Sequence, residues 1–257
     1  MTDAVPEASE ATTVRPVDLT DMELIPAKFR SDVTVQLMDS MGTEENIVRS
    51  ARVSTKGADS RGAEANTGLV RYLYREGHGT PFESCVLQWY FETPIFVDRQ
   101  VMTHRIASTN GESGRYKTME GEFYVVGEDR PLVQVGKVGA YEFELGRPDH
   151  REAVQFVQKA AAESSWENYQ KLKAYGIANE VAREHLPTTL YVSRYWTANL
   201  RATLNFLSLR KDWGPDALHQ SKAQYEIALM VEPMAEIVKE KFPTVWECFV
   251  ESGYKAV

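Results

Sequence analysis

Three features of the sequence predict a single domain of the α+β class. Helical and strand patterns follow one another without a regular strand–helix–strand alternation, no internal repeat is found, and no linker-like segment follows residue 30. The 257 residues can bury a sizeable core, and 43% hydrophobic with 26% charged residues is typical of a globular chain. Residues 1–30, rich in Ala, Thr, Glu, Asp and Pro, predict a flexible acidic arm ahead of a folded domain over residues 31–257.

Strands are predicted where short apolar stretches are rich in β-branched or aromatic residues, some of them alternating with polar residues. These stretches cover residues 33–37, 85–91, 123–126 and 190–196. Residues 106–115 contain Ser, Thr, Asn and two glycines, and they predict a polar loop. Residues 127–146 show no clear pattern.

Helices are predicted from apolar residues at helical spacing together with start and stop signals. Thr43 is a candidate N-cap, and Gly77 stands where a helix-ending glycine is expected. Residues 80–83 have the form of a capping box with proline at the first helical position. The predicted helices follow Thr43 and cover about 63–76, 94–103, 148–175, 178–185, 199–209 and 217–240, the last interrupted at Pro233.

Charge and motif content exclude several classes of protein. With 37 acidic against 29 basic residues the net charge is −8, which argues against a nucleic-acid partner or a membrane surface. The only cysteines, Cys85 and Cys248, cannot build a disulfide framework and predict a reducing, cytoplasmic location. No G-x-G-x-x-G, P-loop or H-E-x-x-H motif occurs, which disfavours Rossmann, Walker and zinc-hydrolase sites, and no metal is predicted.

Arginine, histidine, asparagine and glutamine are concentrated in residues 77–83, 100–115 and 183–210. In an acidic protein, arginines gathered on loops and helix ends indicate a site for an anionic ligand. The run Ser113-Gly114-Arg115 combines a hydroxyl, an approachable backbone and a guanidinium, as a phosphate site requires. For any one arginine, Arg99 and Arg194 among them, a solvated charge or an ion-pair partner is the simpler interpretation, so the residues alone leave this question open.

The order of these motifs resembles that of the flavin-dependent thymidylate synthases. His104-Arg105, seven further residues and then Ser113 resemble the family signature, which is Arg-His-Arg followed by seven or eight residues and Ser. Further segments resemble the family in the same order, at residues 51–54, 77–83, 94–100, 122–124, 180–187 and 199–210.

The resemblance implies a central mixed or antiparallel sheet flanked by long helices, in a homotetramer whose active sites form between subunits. It implies FAD bound without a Rossmann motif, NADPH as reductant and methylenetetrahydrofolate as carbon donor. The implied reaction is the reductive methylation of C5 of a uridine nucleotide, UMP or dUMP, without a cysteine nucleophile.

The resemblance also assigns roles to residues of this sequence. Arg210 would stabilise the negative charge that develops on the O2/N3 side of uracil, whereas Ser113, Arg115 and Arg183 would hold the phosphate. Ser113 is not assigned as a nucleophile. The implied cofactor contacts are His78, Thr80, Glu83, Thr103, His104, Arg105, Ile106, Asn199, Arg201 and Asn205. The implied substrate contacts are Gln100, Gly111, Glu112, Ser113, Gly114, Arg115, Arg183 and Arg210.

Two positions depart from the family pattern. Thr103 replaces the first arginine of Arg-His-Arg, and Gly111 replaces the glutamate that follows the loop asparagine. Loss of the arginine would weaken cofactor binding. Loss of the carboxylate would open space beside the nucleotide sugar, so that a 2′-hydroxyl is tolerated and both UMP and dUMP are methylated. The alternative for Gly111 is neutral drift, with Glu112 or a water replacing the lost carboxylate.

Three other activities remain open at this point. The first is an ordinary thymidylate synthase that accepts dUMP alone and makes dTMP. The second is a degenerate homologue that binds flavin or nucleotide without turnover. The third is a flavin oxidase or a hydroxymethylating relative that uses the same site.

Overall fold

The computed structural model describes residue 19 and residues 22–54, 62–137 and 140–257. Its centre is a four-stranded antiparallel sheet. In spatial order the strands are β2 (Thr34–Met41), β3 (Val86–Pro94), β8 (Tyr191–Asn199) and β4 (Ser108–Gly111). The α+β class predicted from the sequence, with an antiparallel sheet and long helices, is confirmed.

The main core lies on one face of this sheet. Leu87, Trp89 and Phe91 alternate along β3 with half-buried residues, which is the pattern of a strand that buries one face. Trp196 of β8 continues the same apolar layer. The helices whose buried residues complete the core are α1 (Glu44–Arg52), α2 (Ala63–Arg75), α3 (Ile95–Val101), α6 (Leu200–Leu209), α7 (Tyr225–Lys241) and α8 (Pro243–Glu251).

A second, smaller core forms around the long helix α4 (Pro148–Ala174). Trp166 and Tyr169 of α4 stack with ring centroids 5.2 Å apart, and the Trp166 ring packs edge-on against Phe123 of β5 (Glu122–Tyr124). Strand β5 pairs in parallel with β1 (Lys28–Arg30). Strands β6 (Val133–Lys137) and β7 (Ala140–Glu144) form a separate antiparallel pair, and α5 (Asn179–Ala182) follows α4.

Ordered structure begins earlier in the chain than the sequence indicates. The alternation at residues 33–37 suggested a start near Ser31, but Lys28–Arg30 already pairs with β5. Arg30 forms ion pairs with Asp32 at 2.7 Å and with Glu92 at 3.3 Å. The strand was not predicted because its three residues are too few to show an alternating pattern. Residues 1–18, 20 and 21 of the expected acidic arm lie outside the described residues, so the division into arm and domain stays a prediction.

Three local predictions are corrected by the structure, and one stretch without a prediction proves to be ordered. The expected loop at 106–115 contains β4, which pairs with β8 although its residues are polar. Residues 127–146, which show no clear pattern in the sequence, contain the β6–β7 pair. The expected helix at 217–240 begins only at Tyr225 and continues through Pro233, since the surrounding turns are held by buried Met230, Val231 and Met234. The segment 80–83 lies in a 3-10 turn without a side-chain cap, because the Glu83 carboxylate pairs with Arg201.

None of the helices in the described ranges is both long and apolar enough to span a membrane.

Gly121 tests how tightly the second core is packed. A Cβ at this position would lie 2.4 Å from the Trp166 ring, which is buried, stacked on Tyr169 and hydrogen-bonded to the Ile25 carbonyl at 2.7 Å. Gly121→Ala is therefore expected to lower the free energy of unfolding by about 1–3 kcal/mol, measured by urea denaturation. The control is Gly68→Ala on the exposed side of α2, where nothing lies within 4 Å of the new carbon. It is expected to stabilise by up to about 1 kcal/mol, and equal effects of the two substitutions would contradict the packing argument.

Candidate functional site

A cleft of about 530 Å³ opens beside α6 and is called the main cleft. This size lies within the range of ligand pockets. Its walls come from the turn before β3, the loop that follows α3, one face of α6 and residues Ala256 and Val257. The lining residues are Glu83, Thr103, His104, Arg105, Ile106, Trp196, Asn199, Arg201, Ala202, Asn205, Leu209, Arg210, Ala256 and Val257.

Helix α6 aims its polar residues into the main cleft because of how it begins. Asn199, the last residue of β8, is its N-cap and accepts a hydrogen bond from the Ala202 amide at 2.8 Å. Arg201 and Asn205 then lie one turn apart on the exposed side, while Leu204 and Phe206 are buried in the core. The strand end thus fixes the rotation of the helix and the direction of its cleft-facing side chains.

Arg210 is held at the end of α6 by three groups of the loop after α3. Its Nε donates to His104 Nε2 at 2.9 Å, and its Nη2 donates to Thr103 Oγ1 at 2.7 Å and to the Gln100 carbonyl at 3.3 Å. Thr103 in turn donates its hydroxyl proton to the same carbonyl at 2.7 Å. Thr103, the first departure from the family pattern, is therefore a hydrogen-bond partner of Arg210.

The hydrogen bond from Arg210 fixes the protonation of His104. An Nε2 atom that accepts a hydrogen bond carries no proton, so the imidazole is neutral with its proton on Nδ1. Burial, and then the neighbouring Arg210 charge, lower the pKa of His104 from 6.5 to about 4. Burial also lowers the pKa of the Arg210 guanidinium. The ring packs edge-on against Phe206, which keeps it in place.

Arg201 is engaged at the opposite wall of the main cleft. Its Nη1 donates to Glu83 at 2.8 Å, and its Nε donates to the Val257 carbonyl oxygen at 2.8 Å. Its guanidinium lies directly over Gly79, where a Cβ would be only 2.6 Å away. A side chain at this position would require Arg201 to shift from its contacts with Glu83 and Val257.

A second pocket, of about 220 Å³, lies at the other end of the β4–β8 pair. It contains the charged groups Asp98, Glu112, Arg183 and Arg194, of which Asp98 is buried. The remaining lining residues are Ile95, Gly114, Met119, Leu186, Leu190, Val192 and Ser193. Glu112 accepts from the Ser193 amide at 3.2 Å and pairs with Lys117 at 3.0 Å.

Asp98 and Arg194 form a nearly buried ion pair at the wall of the second pocket. Arg194 Nη2 donates to Asp98 Oδ2 at 2.7 Å and Nε donates to Oδ1, so the contact is a two-point fork. The fork raises the pKa of Arg194. Gly111 stands directly opposite Arg194 in the β4–β8 register.

The space expected beside Gly111 is filled. A Cβ on Gly111 would lie 2.9 Å from Arg194 Nη2 and 3.1 Å from its Cζ. The absent side chain therefore makes room for the guanidinium of this chain, and the prediction of open space is wrong. The physical reason is the cross-strand register, which the sequence does not reveal.

The predicted site residues fall into three groups. Most of the predicted cofactor residues line the main cleft, together with Arg210, and Gln100 contacts Arg210 through its carbonyl. Glu112, Gly114 and Arg183 line the second pocket, with Gly111 and Ser113 adjacent to them in the chain. His78, Thr80 and Arg115 line neither: His78 stacks on Tyr72, Thr80 is exposed, and Arg115 pairs with Glu180 at 2.8 Å.

Sequence reasoning missed several lining residues. Trp196 and Leu209 were predicted only as the ends of a strand and a helix, and Ala256 and Val257 carry no chemical signal. Asp98 could have been found as the single acid within the otherwise apolar start of α3, and Arg194 as a charge within an aromatic strand. Within the described ranges, no group of three His, Cys, Asp or Glu side chains could hold a metal ion.

Comparison with known proteins shows the family. Residues 36–244 match the model of the thymidylate synthase complementing protein family. A flavin-dependent thymidylate synthase of Tropheryma whipplei is 40% identical over 229 residues, which cover 88% of this chain and 95% of that protein. One from Streptomyces avermitilis is 39% identical over 237 residues, which cover 89% and 92% of the two chains.

This chain belongs to the flavin-dependent thymidylate synthase family. A solved structure, the UMP/dUMP methylase PolB from Streptomyces cacaoi bound with 5-Br UMP, superposes with a TM-score of 0.84 at 39% identity. The match covers 90% of this chain and 99% of that chain. The same methylase bound with 5-Br dUMP superposes equally well.

The residues of the main cleft suit the flavin that the family name implies. Guanidinium groups of Arg105 and Arg201 offer charge-assisted donors to phosphate oxygens, and the amide of Asn205 can donate and accept at a polar ring edge. Ile106 is 75% exposed at the cleft, where an apolar side chain gains by covering an aromatic ligand. The donor set therefore fits a phosphate-bearing aromatic cofactor.

The neutral state of His104 predicts a pH-dependent stability. Between pH 6.5 and about 4 the unfolded chain binds a proton at this histidine and the folded protein does not, so stability falls as pH falls through this window. His104→Gln keeps an acceptor for Arg210 but cannot titrate. Between pH 7 and pH 4, the unfolding free energy of His104→Gln is therefore expected to fall by about 1–3 kcal/mol less than that of the wild type.

The measurement is urea denaturation of both proteins across this pH range, with the exposed His219→Gln as the matched control. An identical pH slope in wild type and His104→Gln would show that His104 protonates freely in the folded protein.

Proposed function

We propose that this protein is a FAD-dependent methyltransferase that acts on C5 of a uridine nucleotide, UMP as well as dUMP. Its co-substrates are methylenetetrahydrofolate as carbon donor and NADPH as reductant, and its working form is a homotetramer with active sites between subunits. One observation carries the proposal. Arg210, which the sequence assigns to the uracil ring, lines the same cleft as most of the residues assigned to the flavin.

The chemistry that bound FAD would supply is the transfer of reducing electrons from NADPH to the one-carbon group. The residues that would hold it are those of the main cleft, including Arg105, Arg201 and Asn205.

Arg210 is suited to stabilise charge on the nucleotide ring. Its Nε and Nη2 are committed to His104, Thr103 and the Gln100 carbonyl, which leaves Nη1 without a partner among the described residues. A guanidinium fixed in advance by such contacts does not need to reorganise when negative charge develops on uracil. The imidazole of His104 holds Arg210 in position, and because it is neutral it does not compete with Arg210 for the negative charge on uracil.

The second pocket is suited to the phosphate end of the nucleotide. Arg183 lines it, and Ser113 and Gly114 offer a hydroxyl and a backbone amide beside it. Arg115 pairs with Glu180 on the surface, where both side chains are about half exposed, so this arginine is available to a ligand or a neighbouring subunit. The division of the nucleotide residues between two cavities of one chain supports an active site completed by a second subunit.

The cysteines support a mechanism without a thiolate nucleophile. Cys85 and Cys248 are both buried, and neither lines the main cleft or the second pocket. Burial raises the pKa of both thiols, which keeps them protonated at neutral pH.

A paired turnover assay tests the reaction. The protein is incubated without oxygen with FAD, NADPH and methylenetetrahydrofolate, and with UMP or dUMP in separate tubes. Mass spectrometry is expected to show a nucleotide heavier by one methyl group in both. Product from dUMP alone would indicate an ordinary thymidylate synthase. Flavin reduction without methylated product would indicate an oxidase or a hydroxymethylating relative, and neither reduction nor product would indicate a binding-only homologue.

Arg210→Gln tests the role assigned to the guanidinium. The substitution retains polar donors but removes the charge, and kcat is expected to fall by about 100-fold with both nucleotides. The matched control is Arg147→Gln, because Arg147 is exposed and Asp149, near the start of α4, is its one ion-pair partner among the described residues. A fall in kcat of less than about threefold in Arg210→Gln would contradict the electrostatic role.

A further inference from the structure

The β4–β8 register places Gly111 directly opposite Arg194, which is 83 residues further along the chain. The Arg194 guanidinium lies across the Cα of Gly111, where even a methyl group would be 2.9 Å from Nη2. Arg194 therefore occupies the volume that a side chain at residue 111 would take. A cation of this chain therefore lies against the position at which the family pattern has a glutamate.

Arg194 is not free to move away from Gly111. Asp98 holds its Nε and Nη2, and its Nη1 donates to Thr109 Oγ1 at 3.2 Å. The two side chains of the ion pair are only 11% and 9% exposed, so separating them would leave a buried charge without its partner. Nη2 also contacts Met102 Sδ at 3.3 Å.

One N–H of the guanidinium has no hydrogen-bond partner among the described residues. A guanidinium carries five N–H donors, and Asp98, Thr109 and Met102 take four of them in the described part of the chain. The fifth belongs to Nη1, on a residue that lines the pocket with Arg183 and Gly114. This pocket is the one assigned above to the phosphate end of the nucleotide.

We propose that Arg194 is a specificity-determining residue that contacts the sugar of the bound nucleotide and donates a hydrogen bond to the ribose 2′-hydroxyl. This inference rests on the proposed function, since it assumes that a uridine nucleotide occupies the second pocket. Asp98 and Gly111 are positioning residues: Asp98 sets the direction of the guanidinium, and Gly111 leaves it room.

The chemistry explains why ribose is accepted. A hydroxyl oxygen accepts a hydrogen bond from a guanidinium, and bonds to a charged donor are the stronger ones. A deoxyribose offers only C–H at the same position and leaves the Arg194 donor unpaired, which lowers the relative affinity for dUMP. A glutamate at residue 111 would instead collide with Arg194 and form a competing ion pair with it.

Two variants act on this contact in different ways. Arg194→Lys keeps the positive charge beside Asp98 but has no planar fork, so its ammonium cannot serve both Asp98 and the sugar. Gly111→Ala leaves Asp98 and Arg194 in the chain and crowds the guanidinium with a methyl group, which would lie 2.9 Å from the present position of Nη2. If Arg194→Lys does not fold, Gly111→Ala decides the question. Gly68→Ala, in open space on α2, is the matched control for the glycine substitution.

The measurement is the dissociation constant of UMP and of dUMP from the flavin-loaded protein by calorimetry, together with kcat/KM for both nucleotides. Each variant is expected to weaken UMP binding by about tenfold and dUMP binding by less than about twofold. Equal weakening of both nucleotides would reduce Arg194 to a structural ion pair, and unchanged binding of both would show that it does not reach the sugar.

Failure of this inference is distinguishable from failure of the proposed function. If the wild type methylates neither nucleotide, the proposed function is wrong. If the wild type methylates both and the variants leave the ratio of UMP to dUMP unchanged, the reaction stands and the role of Arg194 is overturned.

Discussion

Strand β8 is the element on which both cavities depend. It pairs along its whole length with β3 and over four residues with β4, so that it lies in the interior of the sheet. Arg194 lies on it in the second pocket, and Trp196 lines the main cleft. Asn199 at its end caps α6, the helix that carries Arg201, Asn205 and finally Arg210. A shift of the β8 register by one residue would turn Arg194 and Trp196 to the opposite face of the sheet. It would also move the point at which α6 begins.

Burial determines which of two neighbouring side chains in the main cleft, His104 or Arg210, carries a positive charge. Desolvation disfavours a positive charge on both His104 and Arg210. The arginine keeps its charge, and the histidine is neutral and accepts the hydrogen bond from the arginine with its Nε2 lone pair. A protonated histidine would turn the hydrogen bond into a repulsion between two cations. Thr103, with its small hydroxyl, adds no charge to this cluster, whereas the arginine of the family pattern would.

The sequence predicted what depends on local patterns. The helices at 63–76, 148–175 and 199–209 and the strands at 85–91 and 190–196 were found within a few residues, because their apolar periodicity and caps are local signals. Strand β4 was not found, because its residues, Ser108–Gly111, are polar and its partner lies far along the chain. A contact between distant residues also explains why Thr80–Ser84 does not cap a helix as expected. Glu83 pairs with Arg201, 118 positions further along the chain.

The site residues show even more clearly that contacts between distant parts of the chain cannot be predicted from local sequence patterns. A sequence comparison identifies Gly111 as a lost carboxylate, and from that alone either open space or neutral drift would follow. The structure shows no open space and instead an arrangement in which the glycine, Arg194 across the strand and Asp98 on α3 form one unit. None of the three can change alone without a collision or an unpaired buried charge. On the proposal that Arg194 contacts the sugar, selectivity belongs to this set of contacts, and returning a glutamate to residue 111 by itself would not recreate the family site, because the guanidinium would still fill it.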